Sequence, residues 1–260
     1  MAFEVNANTS SYDIPLILSP FGFTSYRGRH ARSNKSLEKN KKIVLINPNS
    51  NSFATKAMAD LARIETKGQF DVVERSNLDA PELLTNTQDM LDAVTGVVKI
   101  GKEVSKDKDV VAIIVSAFSD PGLRELRDEV DIPVFGIGEE VFHEAARGNR
   151  KFGIVSVTPN PGLLKSFEDK AKSLGYANLY QGVRITQGDP MEIVKLPETL
   201  DASLAIAVNE SIVLDSAEAV IMGGGPLSMS GLRIQKQFDI PIVVAVPAAV
   251  RAAIKAVNNL

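Results

Sequence analysis

Buried strands and amphipathic helices alternate along most of the chain. Ile43–Ile46 is a run of four apolar residues that ends at the polar Asn47–Ser50, and a helical spacing of apolar residues begins near Ser52. Continuous apolar runs are typical of parallel strands that are covered on both faces. Five further runs predict strands at 110–115, 133–137, 152–157, 219–222 and 241–246. Helical patterns between them lie at 87–105, 121–130, 138–147, 160–174, 200–215 and 247–258. The alternation predicts an α/β fold with mostly parallel sheets flanked by helices.

The chain also repeats itself. Three pairs of segments match in the same order: Ile43–Asn49 with Ile154–Asn160, Val111–Val115 with Glu218–Met222, and Asp131–Pro133 with Asp239–Pro241. The paired segments are about 108 residues apart, and a repeat of that length is too long for a solenoid. It indicates two similar lobes that arose by internal duplication and are related by a pseudo-twofold axis.

The predicted domains follow from this repeat. Residues 43–135 with 241–260 form lobe 1, and residues 136–240 form lobe 2. Residues 1–42 form a basic, largely irregular N-terminal extension, because no hydrophobic period persists there and its last part is rich in Lys and Arg. Ligands of open α/β sheets bind beyond the carboxyl ends of the strands, so we expect a ligand cleft between the lobes.

Composition excludes several classes of function. The net charge of −3 gives no overall basic field for nucleic acid, and no apolar run is long enough to span a membrane. We therefore expect a cytoplasmic protein with neither partner, of a size compatible with a homo-oligomer. The chain has no Cys and only two His, which excludes thiolate chemistry and argues against a metal site.

Two matching loops hold the candidate chemistry. Ser116–Gly122 and Gly223–Ser228 follow corresponding strands, and their small residues allow backbone N–H groups to approach a ligand closely. Facing each other, they would hold a small carboxylate or carbonyl oxygen from both sides. The predicted substrate-binding residues are Asn47, Ala117, Phe118, Gly223, Gly224, Gly225 and Pro226. Asn47 has an equally good explanation as a turn former before a proline.

Five stretches of the chain are similar to the sequences of a known protein family: Ile43–Ser50, Ala117–Leu123, Gly136–Glu140, Ala219–Gly223 and Val246–Val250. Through them the chain resembles the Asp/Glu/hydantoin racemase superfamily, and most closely its hydantoin racemase branch, over about Lys42 to Val257. The resemblance implies two α/β lobes with the site between them and no cofactor. It also implies proton transfer at an acidic carbon next to a carbonyl group.

The chain departs from this family at the two positions that matter most. The resembling racemases use two cysteines, one in each lobe, to remove and return a proton on opposite faces of the substrate carbon. The corresponding residues here are Ala117 and Gly224. Neither side chain can transfer a proton, so the two-thiol mechanism is absent.

Five residues are candidates to replace the thiols. Ser116 and Ser119 flank the alanine position, although a hydroxyl needs an activating neighbour. Asp120 is next in sequence, but it also fits an N-cap before a first-turn proline. Glu139 and His143 are four residues apart and would be neighbours on a helix, where they could share acid/base work. The alternatives are an acidic helix start for Glu139 and a packing residue for His143.

Three classes of function stay open on the sequence. The first is a cofactor-independent isomerase, racemase-like enzyme or decarboxylase-like lyase that acts on a small carbonyl or carboxylate compound. The second is a catalytically lapsed relative that binds a small anionic metabolite. The third is an interaction protein that uses its basic N-terminal arm. The paired loops favour the first two.

Overall fold

The computed structural model describes residues 16–19, 22–25, 40–84, 86–193 and 195–259. The chain falls into two compact units, Met1–Lys39 and Asn40–Leu260. In the first unit, strands β1 (Leu16–Ser19) and β2 (Gly22–Ser25) pair antiparallel as a short hairpin. The remaining residues of the predicted N-terminal extension before Asn40 lie outside the described residues, so its irregular character stays a prediction.

The second unit alternates strands and helices. Its strands are β3 (Lys42–Asn47), β4 (Asp71–Ser76), β5 (Val110–Val115), β6 (Val134–Gly136), β7 (Phe152–Ser156), β8 (Tyr180–Ile185), β9 (Ala219–Met222) and β10 (Ile242–Val243). Its helices are α1 (Ser52–Thr66), α2 (Thr87–Val104), α3 (Leu123–Arg127), α4 (Ile137–Ala145), α5 (Pro161–Ser173), α6 (Pro190–Ile193), α7 (Pro197–Asp215), α8 (Ser228–Ile234) and α9 (Ala245–Val257).

The strands form two four-stranded parallel sheets with the same connectivity. The first sheet has the order β4-β3-β5-β6 and the second has the order β8-β7-β9-β10. In each sheet the chain enters at one inner strand and continues to the edge strand beside it. It then returns to the other inner strand and ends at the opposite edge strand. This matches the predicted α/β fold of two similar lobes flanked by helices, and it is the arrangement expected of a duplication.

Backbone hydrogen bonds fix the register of the repeat. The N–H of Ser116 donates to the Ile46 carbonyl at 2.8 Å, and the N–H of Gly223 donates to the Val155 carbonyl at 2.8 Å. Ser116 therefore corresponds to Gly223, as the sequence predicts. The pairing of the first strands is wrong by two residues, because Ile46 corresponds to Val155 and Asn47 to Ser156 rather than to Thr158.

The reason is a coincidence of prolines. The N-cap residues of α1 and α5 are Asn51 and Asn160, and these are the true counterparts. Pro48 precedes its cap by three residues, whereas Pro159 is adjacent to its cap. Aligning the two prolines therefore displaces both the strands and the helix starts by two residues, whereas the register of the hydrogen bonds brings Asn51 onto Asn160.

The apolar core connects the two sheets. One continuous cluster contains Ile43 and Ile114 of the first sheet, Ile154 and Ile221 of the second, and fully buried residues of α4 and α9 such as Phe142. Separate clusters lie on the far faces, under α2 and α3 on the first sheet and under α7 and α8 on the second. Each fully buried large apolar side chain contributes roughly 1.5–3 kcal/mol.

The segment after residue 240 serves both sheets. Strand β10 pairs with β9 in the second sheet, whereas α9 packs on α1, α4 and the first sheet. The domain boundary at residue 241 stays a prediction, but the sheet pairing assigns Ile242 and Val243 to the second sheet and only the helix that follows to the first.

Candidate functional site

A small apolar pocket lies beside the loops that follow β5, β7 and β9. It has a volume of about 160 Å³. Its lining residues are Phe118, Ser156, Val157, Thr158, Leu163, Phe167, Gly223, Gly224 and Leu227. Phe118 comes from the first sheet and the others come from the second lobe. The Phe118 ring packs edge-on against Phe167 at 5.2 Å and Phe142 at 6.0 Å between centroids, which fixes one wall.

The loop after β5 contains backbone N–H groups that make no hydrogen bond within the described residues. The N–H of Asp120 donates to the Ala117 carbonyl at 3.0 Å, which closes a tight turn. Within the described part of the chain, the N–H groups of Ala117, Phe118 and Ser119 have no hydrogen-bond acceptor. Backbone donors of a folded protein are nearly always paired with protein or water, so these three are free to bind water or a ligand oxygen.

Polar residues shape the corresponding turns of the first strands. The Asn47 side-chain oxygen accepts from the N–H of Asn49 at 3.2 Å, and the Ser156 hydroxyl accepts from the N–H of Thr158 at 3.3 Å. Asn47 also donates to the Thr55 hydroxyl at 2.9 Å. Asn47 is not among the residues that line the pocket, and its amide holds the turn before α1.

Asp120 is buried and acts on a helix distant in sequence. Its Oδ1 accepts from the N–H of Gly138 at 2.9 Å, in the first turn of α4, and its Oδ2 lies 2.5 Å from Nζ of Lys170 on α5. The interpretation of Asp120 as the N-cap of the helix that follows it is wrong, because that helix, α3, begins after Gly122 without a side-chain cap. Burial raises the pKa of Asp120, and the Lys170 charge and the α4 N–H groups oppose this increase.

Two glycines make room for this arrangement. A Cβ atom at Gly138 would lie 1.9 Å from the carbonyl oxygen of Phe118, and one at Gly136 would lie 2.4 Å from Oδ1 of Asp120. Any larger residue would push the β5 loop away from the start of α4. The family-like segment Gly136–Glu140 is thus explained by close approach of two backbones.

Glu139 and His143 are neighbours on α4, as their spacing predicts. His143 Nε2 lies 3.4 Å from Oε1 of Glu139, and Arg127 Nη2 lies 2.8 Å from its Oε2. The His143 hydrogen bond, helped by Arg127, lowers the pKa of Glu139 to about 2, and Glu139 in turn raises the pKa of His143. The other imidazole nitrogen, Nδ1, lies 2.8 Å from the Tyr176 hydroxyl.

Sequence reasoning missed two members of this cluster. Neither Arg127 nor Tyr176 is a candidate on the sequence. Arg127 lies on α3, and Tyr176 follows α5. No spacing in the sequence connects either residue to α4, because the contacts depend on how separate helices pack.

We expect the pair to make stability depend on pH. Because the pKa of His143 is raised in the folded state, its contribution is fully present below the unfolded value near 6.5 and is lost as the pH rises through the higher folded value. Glu140 adds to this increase and Arg127 opposes it. Thermal melting should therefore show a decline above pH 6.5 that is weaker in His143→Gln and in Glu139→Gln. Parallel pH profiles for all three proteins would contradict this coupling.

A second, charged pocket of about 670 Å³ adjoins the same loop. Ser119, Asp120, Arg127, Glu139 and Lys170 line it, together with apolar residues of α2. The structure thus divides the candidates, because Phe118, Gly223 and Gly224 line the apolar pocket whereas Ser119, Asp120 and Glu139 line the charged one.

The remaining candidates lie outside both linings. Ser116 is buried with its hydroxyl 2.9 Å from the Met58 sulfur, and His143 lies behind Glu139. Ala117 is half-buried and directly precedes Phe118, and Gly225 and Pro226 open a short 3-10 turn after Gly224.

No described helix is both long and apolar enough to cross a membrane. In the same part of the chain, no group of three or more His, Cys, Asp or Glu side chains is arranged to hold a metal ion.

Comparisons with known proteins agree with the architecture. The Asp/Glu/hydantoin racemase family model matches residues 43–253. A hydantoin racemase from Pseudomonas sp. (strain NS671) is 26% identical over 212 residues, covering 82% of this chain and 84% of that protein.

Solved structures share the fold at lower identity. An allantoin racemase from Klebsiella pneumoniae superposes with a TM-score of 0.73 at 19% identity, over 84% of this chain and 88% of that one. The maleate isomerase of Pseudomonas putida S16 gives a TM-score of 0.62 at 12% identity, over 84% and 92%. At these levels of identity, both similarities are evidence for a shared fold only.

Proposed function

The chain belongs to the Asp/Glu/hydantoin racemase family, and from this premise we propose that it is a cofactor-independent enzyme acting on a small carbonyl or carboxylate compound. The reaction proceeds through an enolate-like intermediate and is of the isomerase type, without the two-thiol mechanism. The names of its relatives, hydantoin racemase, allantoin racemase and maleate isomerase, support this reaction type. A decarboxylase-like lyase would use the same intermediate.

The observation that carries the proposal is the set of free donors in the loop after β5. The N–H groups of Ala117, Phe118 and Ser119 have no acceptor within the described residues. Removing a proton next to a carbonyl group places negative charge on its oxygen. Fixed N–H donors stabilise such a charge at no cost of reorganisation, and removing one such donor costs about 3–4 kcal/mol where an oxyanion hole has been tested in a protease.

The apolar pocket limits what can bind there. Its volume of about 160 Å³ admits only a small compound. The hydroxyls of Ser156 and Thr158 are the polar side chains of its described lining, and Phe118 and Phe167 supply flat apolar surface. In our proposal the hydroxyls hydrogen-bond with polar groups of the substrate, and the rings pack against its carbon skeleton.

We assign proton transfer to Glu139, which lines the charged pocket beside the same loop, and to its hydrogen-bonded partner His143, so the reacting carbon of the substrate is placed on the charged-pocket side of that loop. Of the five candidates, Asp120 is held by Gly138 and Lys170, and Ser116 is buried beside Met58. Ser119 is exposed, and among the described residues its hydroxyl has the Met90 sulfur at 3.1 Å as its partner rather than an activating base. His143 has a raised pKa and a carboxylate partner, Glu139, and both residues lie on α4.

One observation favours a catalytically lapsed binding protein as the second candidate. The described side chains that line the apolar pocket include no carboxyl, imidazole or amino group. Such a pocket binds a small compound but moves no proton by itself. The interaction protein that would use the basic N-terminal arm depends largely on residues outside the described ones and gains no support from the site.

Proton exchange in heavy water separates these candidates. We expect the native chain to introduce deuterium next to the carbonyl group of at least one compound in a panel of amino acids, small carboxylates and hydantoins, as followed by NMR. Because both acid/base groups lie on one helix, we expect the deuterium to return to the same face with retention of configuration, as in an isomerase that shifts a proton or in a decarboxylase-like lyase, and not as in a racemase.

Matched variants test the assignment. His143→Gln should lower the exchange rate about 100-fold or more, as expected for loss of a general acid/base, whereas Lys56→Gln on the exposed face of α1 should leave it unchanged. Binding of a panel compound without exchange would favour the lapsed relative, and exchange that survives His143→Gln would exclude the assigned pair.

A further inference from the structure

Tyr176 contacts the acid/base pair from a connection between two strands of the second sheet. It follows α5, which joins β7 to β8, whereas His143 lies on α4, which follows the last strand of the first sheet. The Tyr176 hydroxyl is 2.8 Å from Nδ1 of His143, and the two rings pack edge-on with their centroids 5.7 Å apart. Neither ring lines the apolar or the charged pocket, so substrate binding does not explain this contact.

The backbone and the core hold Tyr176 in place. Its N–H donates to the Ala171 carbonyl at 2.7 Å, and its own carbonyl accepts from the N–H of Leu179 at 2.9 Å. The preceding Gly175 has a φ of 81°, the left-handed value that glycine commonly adopts just after a helix. The Tyr176 ring also packs edge-on against the fully buried Phe152, with centroids 6.4 Å apart. The hydroxyl is therefore presented to His143 from a fixed position.

The two partners of the imidazole determine where its hydrogen lies. The pKa of Glu139 is lowered to about 2, so at neutral pH its carboxylate only accepts hydrogen bonds. A neutral His143 ring that bonds to Glu139 therefore carries its hydrogen on Nε2 and has a lone pair on Nδ1. Burial, helped by the charges of Glu140 and Glu139, raises the pKa of Tyr176, so its hydroxyl keeps its hydrogen and can donate it to that lone pair.

We propose that Tyr176 is a positioning residue, which fixes the ring orientation and the tautomer of His143 so that Nε2–H points at Glu139. As a role in catalysis, this inference rests on the proposed assignment of proton transfer to the pair. The opposite tautomer would face the carboxylate with a lone pair, and a ring turned over would present carbon atoms to both partners. The bond to Glu139 is the longer of the two, at 3.4 Å against 2.8 Å, so by itself it holds the ring weakly.

Tyr180 provides a matched control. It lies on β8 and packs on Phe152 with centroids 5.9 Å apart, close to the 6.4 Å of Tyr176. Both tyrosines are half-buried. Within the described residues, however, the Tyr180 hydroxyl has no hydrogen-bond partner. The substitutions Tyr176→Phe and Tyr180→Phe each remove one hydroxyl beside the same core ring, and only the first removes a bond to His143.

Nitrogen NMR of the imidazole tests the proposal without any substrate. The chain has two histidines, so His30→Gln leaves His143 as the single imidazole of the full chain. At a pH high enough to remove the second proton, we expect hydrogen on Nε2 and a lone pair on Nδ1. Tyr176→Phe in this background should shift both nitrogen signals toward the average of the two tautomers, whereas Tyr180→Phe should leave them in place. Hydrogen on Nδ1 before substitution, or unchanged signals in Tyr176→Phe, would overturn the proposal.

Exchange kinetics distinguish this inference from the proposed function. Tyr176→Phe should lower kcat for deuterium exchange about tenfold, as for the outer hydrogen-bond partners of metal-bound histidines. KM should stay unchanged because Tyr176 lines neither pocket, and Tyr180→Phe should change neither constant. Exchange by the native chain with an unchanged kcat in Tyr176→Phe would overturn the positioning role and leave the proposed function standing. The expected NMR shift in a chain that exchanges no compound of the panel would support the orientation of His143 by Tyr176 and refute the proposed function.

Discussion

The double variant Ala117→Cys, Gly224→Cys is expected to exchange the α-proton of a 5-substituted hydantoin and to racemise it, which the native chain is not expected to do. Two thiols would then stand at the positions that the resemblance assigns to the family's cysteines, one in each lobe. A thiol near free backbone N–H groups ionises more readily and becomes a competent base near neutral pH. We expect a rate at least tenfold above that of the native chain at pH 7.

The backbone favours this experiment. Ser116 and Gly223 occupy equivalent positions in the two sheets, so the residues that follow them, Ala117 and Gly224, are equivalent as well. Gly224 has a φ of 162°, which is extended backbone that any residue adopts. A cysteine there introduces no left-handed strain, and Gly224 lines the apolar pocket together with Phe118.

Single variants provide the controls. Each single cysteine should give little racemisation, because a second group must return the proton on the other face. A folded double variant that binds the hydantoin without exchanging its proton would show that the pocket serves other chemistry. Racemisation by the native chain would show that Glu139 and His143, or one of the serines, deliver protons to both faces.

Asp120→Ala is expected to lower the free energy of unfolding by about 3 kcal/mol. The substitution leaves the Lys170 ammonium group, which is only 20% exposed, and the N–H of Gly138 without their partner. Removing one member of a buried pair costs about 3–5 kcal/mol, and the partial exposure of Lys170 places this case at the lower end.

Urea denaturation at pH 7 measures the effect as a shift of the midpoint at constant slope. The matched control is Asp169→Ala, which removes the exposed partner of Lys165 on the same helix, α5. Exposed pairs contribute about 0–1 kcal/mol, so this control should barely shift. Equal shifts for the two variants would show that Asp120 is dispensable for stability and would restore it as a catalytic candidate.

The sequence predicts the inner strands of both sheets and one edge strand of each, β6 and β10, but it misses the other edge. Inner strands such as β3 and β5 are continuous apolar runs because helices cover both of their faces. The predicted set lacks β4 and β8, which lie at the opposite sheet edges with the mixed sequences DVVERS and YQGVRI. Most residues of these two strands are half-buried or exposed, so polar residues interrupt the apolar run.

Within the candidate site, sequence reasoning succeeds where contacts are local. Glu139 and His143 are four residues apart, and helical geometry alone brings them together. Asp120 shows the opposite case, because its partners Gly138 and Lys170 are 18 and 50 residues away. A capping role could be predicted from residue type, but the identity of the capped helix depends on tertiary packing.

The position of α9 has a consequence for how the chain is made. This helix covers the first sheet, yet every strand of the second sheet precedes it in the sequence. During synthesis the first sheet therefore emerges with Ile43, Leu45 and Ile114 lacking the cover that Val246, Ala249 and Val250 later provide. The nascent first half therefore exposes an apolar surface that is suited to a chaperone until residues 245–257 have left the exit tunnel.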